Sequence, residues 1–191
     1  SMSMVRASSR WARIRSITFQ GNETLTDRQL RKLMQTKRAW WFIGGKYDES
    51  TFEADLETFV REYQDYGRLD ARIVEPRLIY SENGKKVDIV IRLEEGPEYR
   101  VGTLEVADNT VFDDDEILRL LEVQAGEVHN RTQIEEDADL VEKGYTDSGY
   151  IEADVRPQFT VDKENLQTHI VHRIQEGQLK LLPSADPMLK K

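Results

Sequence analysis

The sequence has no cysteine, only five prolines and no long apolar run. The absence of cysteine excludes a disulfide scaffold, a thiolate nucleophile and the cysteine ligands of zinc fingers. The longest apolar run, residues 39–43, is far too short to span a bilayer. The net charge of −9 leaves no basic surplus for phosphates, so it disfavours binding to nucleic acid or to anionic lipid.

The first residues also lack a targeting signal. No charged segment followed by an apolar stretch and a small-residue cleavage site opens the chain. Ser1 precedes a methionine, which predicts an expression scar rather than a natural start. We therefore expect the chain to be a fragment of a longer protein.

An internal repeat organises what is present. Three segments occur twice, with offsets of 87, 82 and 81: residues 17–22 with 104–109, 67–71 with 149–153, and 95–96 with 176–177. The decreasing offset predicts that the second copy is shorter, mostly between its two helices. The chain is therefore predicted to hold two copies of one unit.

Both copies carry the same helix signals. Capping boxes satisfy the first free N–H groups of a helix, and a single Asp or Asn cap does so in part. Gly67 follows a helical stretch, at the position where a left-handed residue ends a helix. The predicted boxes and caps are Thr26 with Gln29, Asp113 with Glu116, Asp48, and Asn130 with Gln133.

The strand signals complete the unit. Residues 87–93 alternate apolar and other side chains, as a strand with one buried face does. Asn83-Gly84 marks a hairpin turn before this strand. A strand–helix–helix–strand crossover favours a parallel pair, and the hairpin adds an antiparallel one. The predicted fold class is α+β: two βααββ modules, each a three-stranded mixed sheet covered on one face by two helices.

The repeat also predicts the domain limits. We place module one at residues 11–96 and module two at 97–178, with flanking segments at 1–10 and 179–191. The linker, residues 96–98, contains Gly, Pro and Glu and is too short for a free hinge. It should restrict the relative motion of the modules without abolishing it.

Four segments together resemble a known family. Their order and spacing look like consecutive POTRA domains of the BamA family of outer-membrane protein assembly factors. Asp108 departs from this pattern, since it stands where copy one has Gly21, although Asp tolerates left-handed geometry better than most residues. The segments are residues 21–22, 44–48, 63–71 and 95–102.

This resemblance implies a function and a location. It implies a periplasmic scaffold that leads to a membrane β-barrel in the parent protein, with no enzymatic activity and no cofactor. The implied partners are unfolded outer-membrane client proteins, accessory assembly lipoproteins and adjacent POTRA domains. Two alternatives stay open: a two-partner secretion transporter of the same superfamily, and a KH-like nucleic-acid-binding tandem, which shares the element order but needs a Gly-x-x-Gly loop and a basic groove.

Candidate metal ligands have ordinary structural explanations. Residues 113–116 are acidic but lie at a helix start, where carboxylates are favoured. His169 and His172 are three apart on a predicted strand, so they point to opposite faces and cannot share a metal. His172 aligns with Ile91 on the core face and is predicted to be buried and hydrogen-bonded. We predict no metal site and no catalytic residue.

The candidate binding residues lie on the fourth element of each copy and on one loop. A strand at the margin of a sheet has unpaired N–H and C=O groups, on which an extended client chain can dock by β-augmentation. Trp40, Trp41 and Phe42 in the inter-helix loop either pack on the module or contact a partner. The candidate edge residues are Arg72, Ile73, Val74, Glu75, Arg77 and Ile79 in copy one, and Asp154, Val155, Arg156, Gln158 and Thr160 in copy two.

Pro76 argues independently that the copy-one strand is marginal. Proline has no N–H and is tolerated in a sheet only at an edge or a bulge. We predict that a second proline, Val74→Pro, abolishes peptide binding while the fold persists, provided that the Val74 N–H points outward. NMR titration with peptides from barrel strands tests this, and normal binding by the variant would contradict it.

Overall fold

The order strand, helix, helix, strand, strand occurs twice, as predicted. A computed structural model describes residues 12–37 and 45–180. The chain divides into two units, residues 1–98 and 99–191. The first contains β1 (Arg13–Gln20), α1 (Asp27–Leu33), α2 (Glu49–Asp65), β2 (Arg72–Tyr80) and β3 (Lys86–Glu94). The second contains β4 (Arg100–Ala107), α3 (Asp114–Leu118), α4 (Arg131–Asp147), β5 (Asp154–Asp162) and β6 (Gln167–Gln175).

Each unit has a three-stranded mixed sheet, which confirms the predicted fold class. The strand order is β1-β3-β2 in the first unit and β4-β6-β5 in the second. The first and last strands pair in parallel, and the hairpin strands pair antiparallel. The last strand of each unit is therefore central, and the other two form the margins.

The core lies between the helices and one sheet face. Val87, Ile89, Ile91 and Leu93 of β3 are all buried, because side chains two apart on a strand share a face. Phe52, Phe59 and Tyr63 of α2 belong to the same cluster; they recur at helical spacing and so form one stripe. The second unit repeats the arrangement with Ile117, Val141 and Tyr145 from its helices and Ile174 from β6.

Side-chain caps are present at Thr26, Asp48 and Asn130, as predicted. The Thr26 side chain accepts from the Gln29 amide and completes a capping box. Asp48 accepts from the Thr51 amide at 2.8 Å, and Asn130 accepts from the Gln133 amide at 2.9 Å. These bonds satisfy orphan N–H groups and fix where each helix begins.

Left-handed residues occupy matched positions in the two units. Gly67, with φ of 71°, follows α2, and Gly149, with φ of 98°, follows α4. Gly21 has φ of 78°, and Asp108 has φ of 67° at the equivalent position. A Cβ on Gly21 would collide with the carbonyl oxygen of Leu93. Asp108 thus adopts the left-handed geometry that glycine supplies in copy one.

The positive φ of Gly67 generates a stability prediction. Gly67→Val should lower the free energy of unfolding of the first unit by about 1–2 kcal/mol or more, because a β-branched residue is strained in this region. Gly67→Asn is the matched control and should lose less, since Asn adopts left-handed geometry more readily. Urea unfolding measures both, and an unchanged midpoint for Gly67→Val would contradict the prediction.

Candidate protein-binding edges

The predicted edge strands lie at the margins of their sheets. β2 pairs only with β3, and β5 only with β6, among residues 12–37 and 45–180. We call the outer long edges of β2 and β5 the open margins. They carry all the residues predicted for strand docking: Arg72, Ile73, Val74, Glu75, Arg77 and Ile79, and Asp154, Val155, Arg156, Gln158 and Thr160.

The opposite margins are covered where their strands begin. In the first unit the Ile14 amide donates to the Gly45 carbonyl at 2.7 Å, and the Tyr47 amide donates to the Ala12 carbonyl at 3.0 Å. In the second unit the Val101 amide donates to the Glu127 carbonyl at 2.8 Å. The segment before the long helix thus pairs with β1 or β4, which leaves β2 and β5 as the more accessible margins.

A β-bulge interrupts the open margin of the first unit. Val74 lies opposite Arg92 and Arg77 opposite Val90, so Glu75 and Pro76 together face a single residue of β3. The open margin of the second unit has no bulge, because β5 pairs with β6 continuously from Asp154 to Asp162. This one extra residue in β2 accounts for the fall in the repeat offset from 82 to 81. The sequence alone did not show where the extra residue lies.

The phase of the ladder decides which β2 amides face outward. The Ser81 amide donates to the Lys86 carbonyl at 2.9 Å, so this pair is hydrogen-bonded. Successive residues alternate between pointing at the partner strand and pointing away from it. The N–H groups of Leu78 and Tyr80 therefore point outward, whereas those of Arg77 and Ile79 point toward β3.

The same phase changes the interpretation of Val74. Its partner Arg92 lies two residues from Val90 on β3, so the backbone N–H and C=O groups of both residues point toward β2. The Val74 N–H consequently points into the sheet, and the condition for the Val74→Pro test is not met. Because the bulge adds one residue between Val74 and Arg77, the Val74 N–H points toward β3 instead of outward. A proline at position 74 would therefore remove a hydrogen bond of the β2–β3 ladder.

Charges accompany the open margins. Arg72 forms an ion pair with Glu94 on the neighbouring strand, and Arg156 pairs with Asp154 at 2.7 Å along its own strand. These pairs are solvent-exposed and contribute little to stability. Charged side chains at an edge do discourage indiscriminate strand pairing.

A glutamate after each central strand fixes the loop that precedes the first helix. The Glu176 carboxylate accepts from the Thr110 amide at 2.6 Å, the Val111 amide at 2.8 Å and the Tyr145 hydroxyl at 3.0 Å. Burial acts to raise the pKa of Glu176, but these hydrogen bonds outweigh it and lower the pKa to about 2. Glu95 accepts from the Thr24 amide and hydroxyl in the first unit.

Sequence reasoning missed a second repeated carboxylate. Asp55 accepts from the amides of Gln35 and Thr36, both at 2.8 Å. Asp137 accepts from the amides of Glu122 and Val123 at 2.9 and 3.0 Å. Each buried carboxylate thereby accepts hydrogen bonds from two backbone N–H groups in the segment that follows the first helix of its unit. An acidic residue within the apolar stripe of the long helix, between Phe52 and Phe59, was the available signal.

The histidines differ in part from prediction. His172 is buried as expected, but neither ring nitrogen has a hydrogen-bond partner among the described residues, so none of these residues supplies the predicted bond. The nearby carboxylate of Asp137 is already engaged by two amides, and burial lowers the pKa of His172. His169 lies on the other face and contacts Thr103, with 3.0 Å between Nδ1 and Oγ1.

Three further expectations concern metal binding, membrane spanning and the inter-helix loop. Across residues 12–37 and 45–180, no three or more His, Asp or Glu side chains come together as a metal site. None of the helices in these ranges is long and apolar enough to cross a membrane. Trp40, Trp41 and Phe42 lie outside the described residues.

The Glu176 network generates a pH prediction. Its pKa is depressed from 4.5 to about 2, so its stabilising contribution is present above pH 4.5 and is lost as pH falls toward 2. Glu176→Gln should therefore be less stable than the original chain at pH 7, by about 0.5–1 kcal/mol, because the carboxylate lies near solvent and glutamine keeps one acceptor oxygen. The difference should narrow below pH 4.5 in urea unfolding. Glu164→Gln in the exposed hairpin turn is the control, and a difference independent of pH would contradict the assignment.

Comparison with known proteins places this geometry in a family. The chain is 25% identical to the outer membrane protein assembly factor BamA of Neisseria meningitidis over 171 residues, which cover 87% of this chain and 22% of that protein. A crystal structure of Haemophilus influenzae BamA POTRA3-5 superposes with a TM-score of 0.66 at 23% identity, covering 88% of this chain and 67% of that one. BamA from Haemophilus ducreyi lacking POTRA domains 1-3 gives a TM-score of 0.64 at 18% identity, over 85% of this chain and 29% of that one.

These matches define the extent of the likeness. The chain spans less than a quarter of the length of the curated relatives it matches. The family model described as POTRA, surface antigen variable number repeat, matches twice, over residues 12–96 and 99–177. Two such matches, each over one unit with the same element order, leave the KH-like alternative without support. The chain therefore belongs to the POTRA family, of which it contains two consecutive domains.

Proposed function

We propose that this chain is a periplasmic scaffold of an outer-membrane protein assembly factor and binds extended protein segments along β2 and β5. The single observation that carries the binding mode is the open margin, paired on one side only in each unit. Backbone pairing at a sheet edge is nearly blind to side chains. It therefore suits a protein that handles many clients.

The relatives support the biological setting. Those whose names describe them as outer membrane protein assembly factors match most of this chain, within a small part of their own length. The parent protein is accordingly proposed to lie in the outer membrane and to continue into a β-barrel. Unfolded outer-membrane proteins and accessory lipoproteins are the proposed partners, and the chain is proposed to have no enzymatic activity.

The chemistry of the open margins favours weak binding. A short strand buries little area, and the incoming peptide must be ordered when it binds. The bulge at Pro76 also shortens the regular stretch of backbone in β2. Low affinity fits a scaffold that must release each client to the next step.

Alternating amides along β2 test the binding mode. A peptide with the alternating sequence of a barrel strand should slow hydrogen exchange at Leu78 and Tyr80, whose N–H groups point outward. Exchange at Arg77 and Ile79 should change little, because their N–H groups already bond to β3. NMR-detected exchange with and without peptide provides this internal control. Protection confined to α1 and α2 would contradict edge-strand binding.

A further inference from the structure

The open margin of β5 differs chemically between its two halves. β5 pairs with β6 through consecutive residues from Asp154 to Asp162, with no bulge. Its amides therefore alternate strictly between the partner strand and the margin. A proline within a continuous ladder sits where its missing N–H would face the margin, and Pro157 lies opposite His172.

The position of Pro157 defines the whole set of outward amides. Val155, Phe159 and Val161 share its phase, since each is an even number of residues away. The Val155 amide supports this phase, because it donates to the Glu142 carboxylate of α4 at 3.2 Å and not to β6. The position equivalent to Glu142 in the first unit is Val60, which has no such acceptor.

The first half of the β5 margin thus offers no free backbone N–H to an incoming strand. Pro157 has no donor, and the Val155 donor is already bonded. Phe159 and Val161 retain outward donors, for which no acceptor outside the β5–β6 ladder occurs within residues 12–37 and 45–180. Donors for a client backbone are therefore concentrated in the half nearest the hairpin.

Side chains reinforce this division. Val155 is 6% exposed, whereas Phe159 is 44% and Val161 39% exposed. Phe159 and Val161 are two residues apart and share one face, where the Phe159 ring packs edge-on against buried His129 with centroids 5.1 Å apart. Their first-unit equivalents, Leu78 and Tyr80, are instead packed against the core.

We propose that residues 159–162 are the strand-docking site of the second unit, and that its occupant is an amphipathic extended segment with an apolar residue at every second position. Paired strands place opposing side chains on the same face, so apolar client residues would lie beside Phe159 and Val161. Gln158 and Thr160 on the other face are uncharged and exposed, which fits polar client residues. Such alternation is the pattern of membrane-barrel strands.

This proposal rests on the proposed function and specifies where on β5 it operates. The probe is a ten-residue peptide alternating valine with threonine, and the control peptide has the same composition with its valines in one block. The full 191-residue chain is used. With peptide at about ten times its Kd, exchange at Phe159 and Val161 should slow about tenfold, and exchange at Val155 should not change.

Two variants at one position separate donor from side chain. Val161→Pro removes the outward N–H and keeps an apolar residue, so binding to the second unit should be lost. Val161→Ala keeps the N–H and should retain binding with a several-fold higher Kd. Amide spectra establish that each variant is folded, and the exchange pattern of the original chain tests the proposal without any variant.

The outcomes distinguish this inference from the broader function. Protection at Val155, protection on β2 alone, or normal binding by folded Val161→Pro would overturn the half-margin assignment and leave edge binding intact. Equal protection by both peptides would overturn the alternating pattern. Peptide-induced changes confined to the helices of both units would overturn the proposed function itself.

Discussion

Every three-stranded sheet has two margins with backbone groups that lack a strand partner, and much of this chain deals with that constraint. Burying or exposing such groups without partners is costly or invites association. The segment before the long helix pairs with β1 and β4 where they begin. A bulge, a proline or the Glu142 carboxylate modifies the other margin. The resulting accessible backbone is short and occurs at defined positions along β2 and β5.

The fold was predictable from the sequence because its local signals agree with one another. Caps at Thr26 and Asn130, the left-handed glycine at position 67 and the alternation of residues 87–93 all specify the same unit, and the repeat states it twice. The bulge was not predictable, because an offset of 82 that becomes 81 can be placed at several positions. The structure locates it at Glu75 and Pro76, and that location reverses the phase of Val74.

The sequence predicted which strand forms the candidate site, but not which of its backbone N–H groups are free to bind. Pro76 and Pro157 in equivalent strands indicate a margin, whereas the capture of the Val155 amide depends on Glu142, which is distant in sequence. Buried Asp55 and Asp137 satisfy backbone amides across a similar separation. Interactions of this kind depend on how a helix packs on a sheet, so periodicity reveals the face but not the contact.

Coverage of the outer edges of β1 and β4 also affects how many further strands each sheet can accept. A sheet that is open on both sides can pair head to tail with further copies, and such heterologous contacts can propagate into fibres. Here the segments at Gly45 and Glu127 occupy the start of one margin. The start of β1 and of β4 is therefore withdrawn from such pairing, which favours pairing through β2 or β5 of each sheet. A sheet whose outer β1 or β4 edge is partly covered is in this way less able to start head-to-tail stacking of further copies.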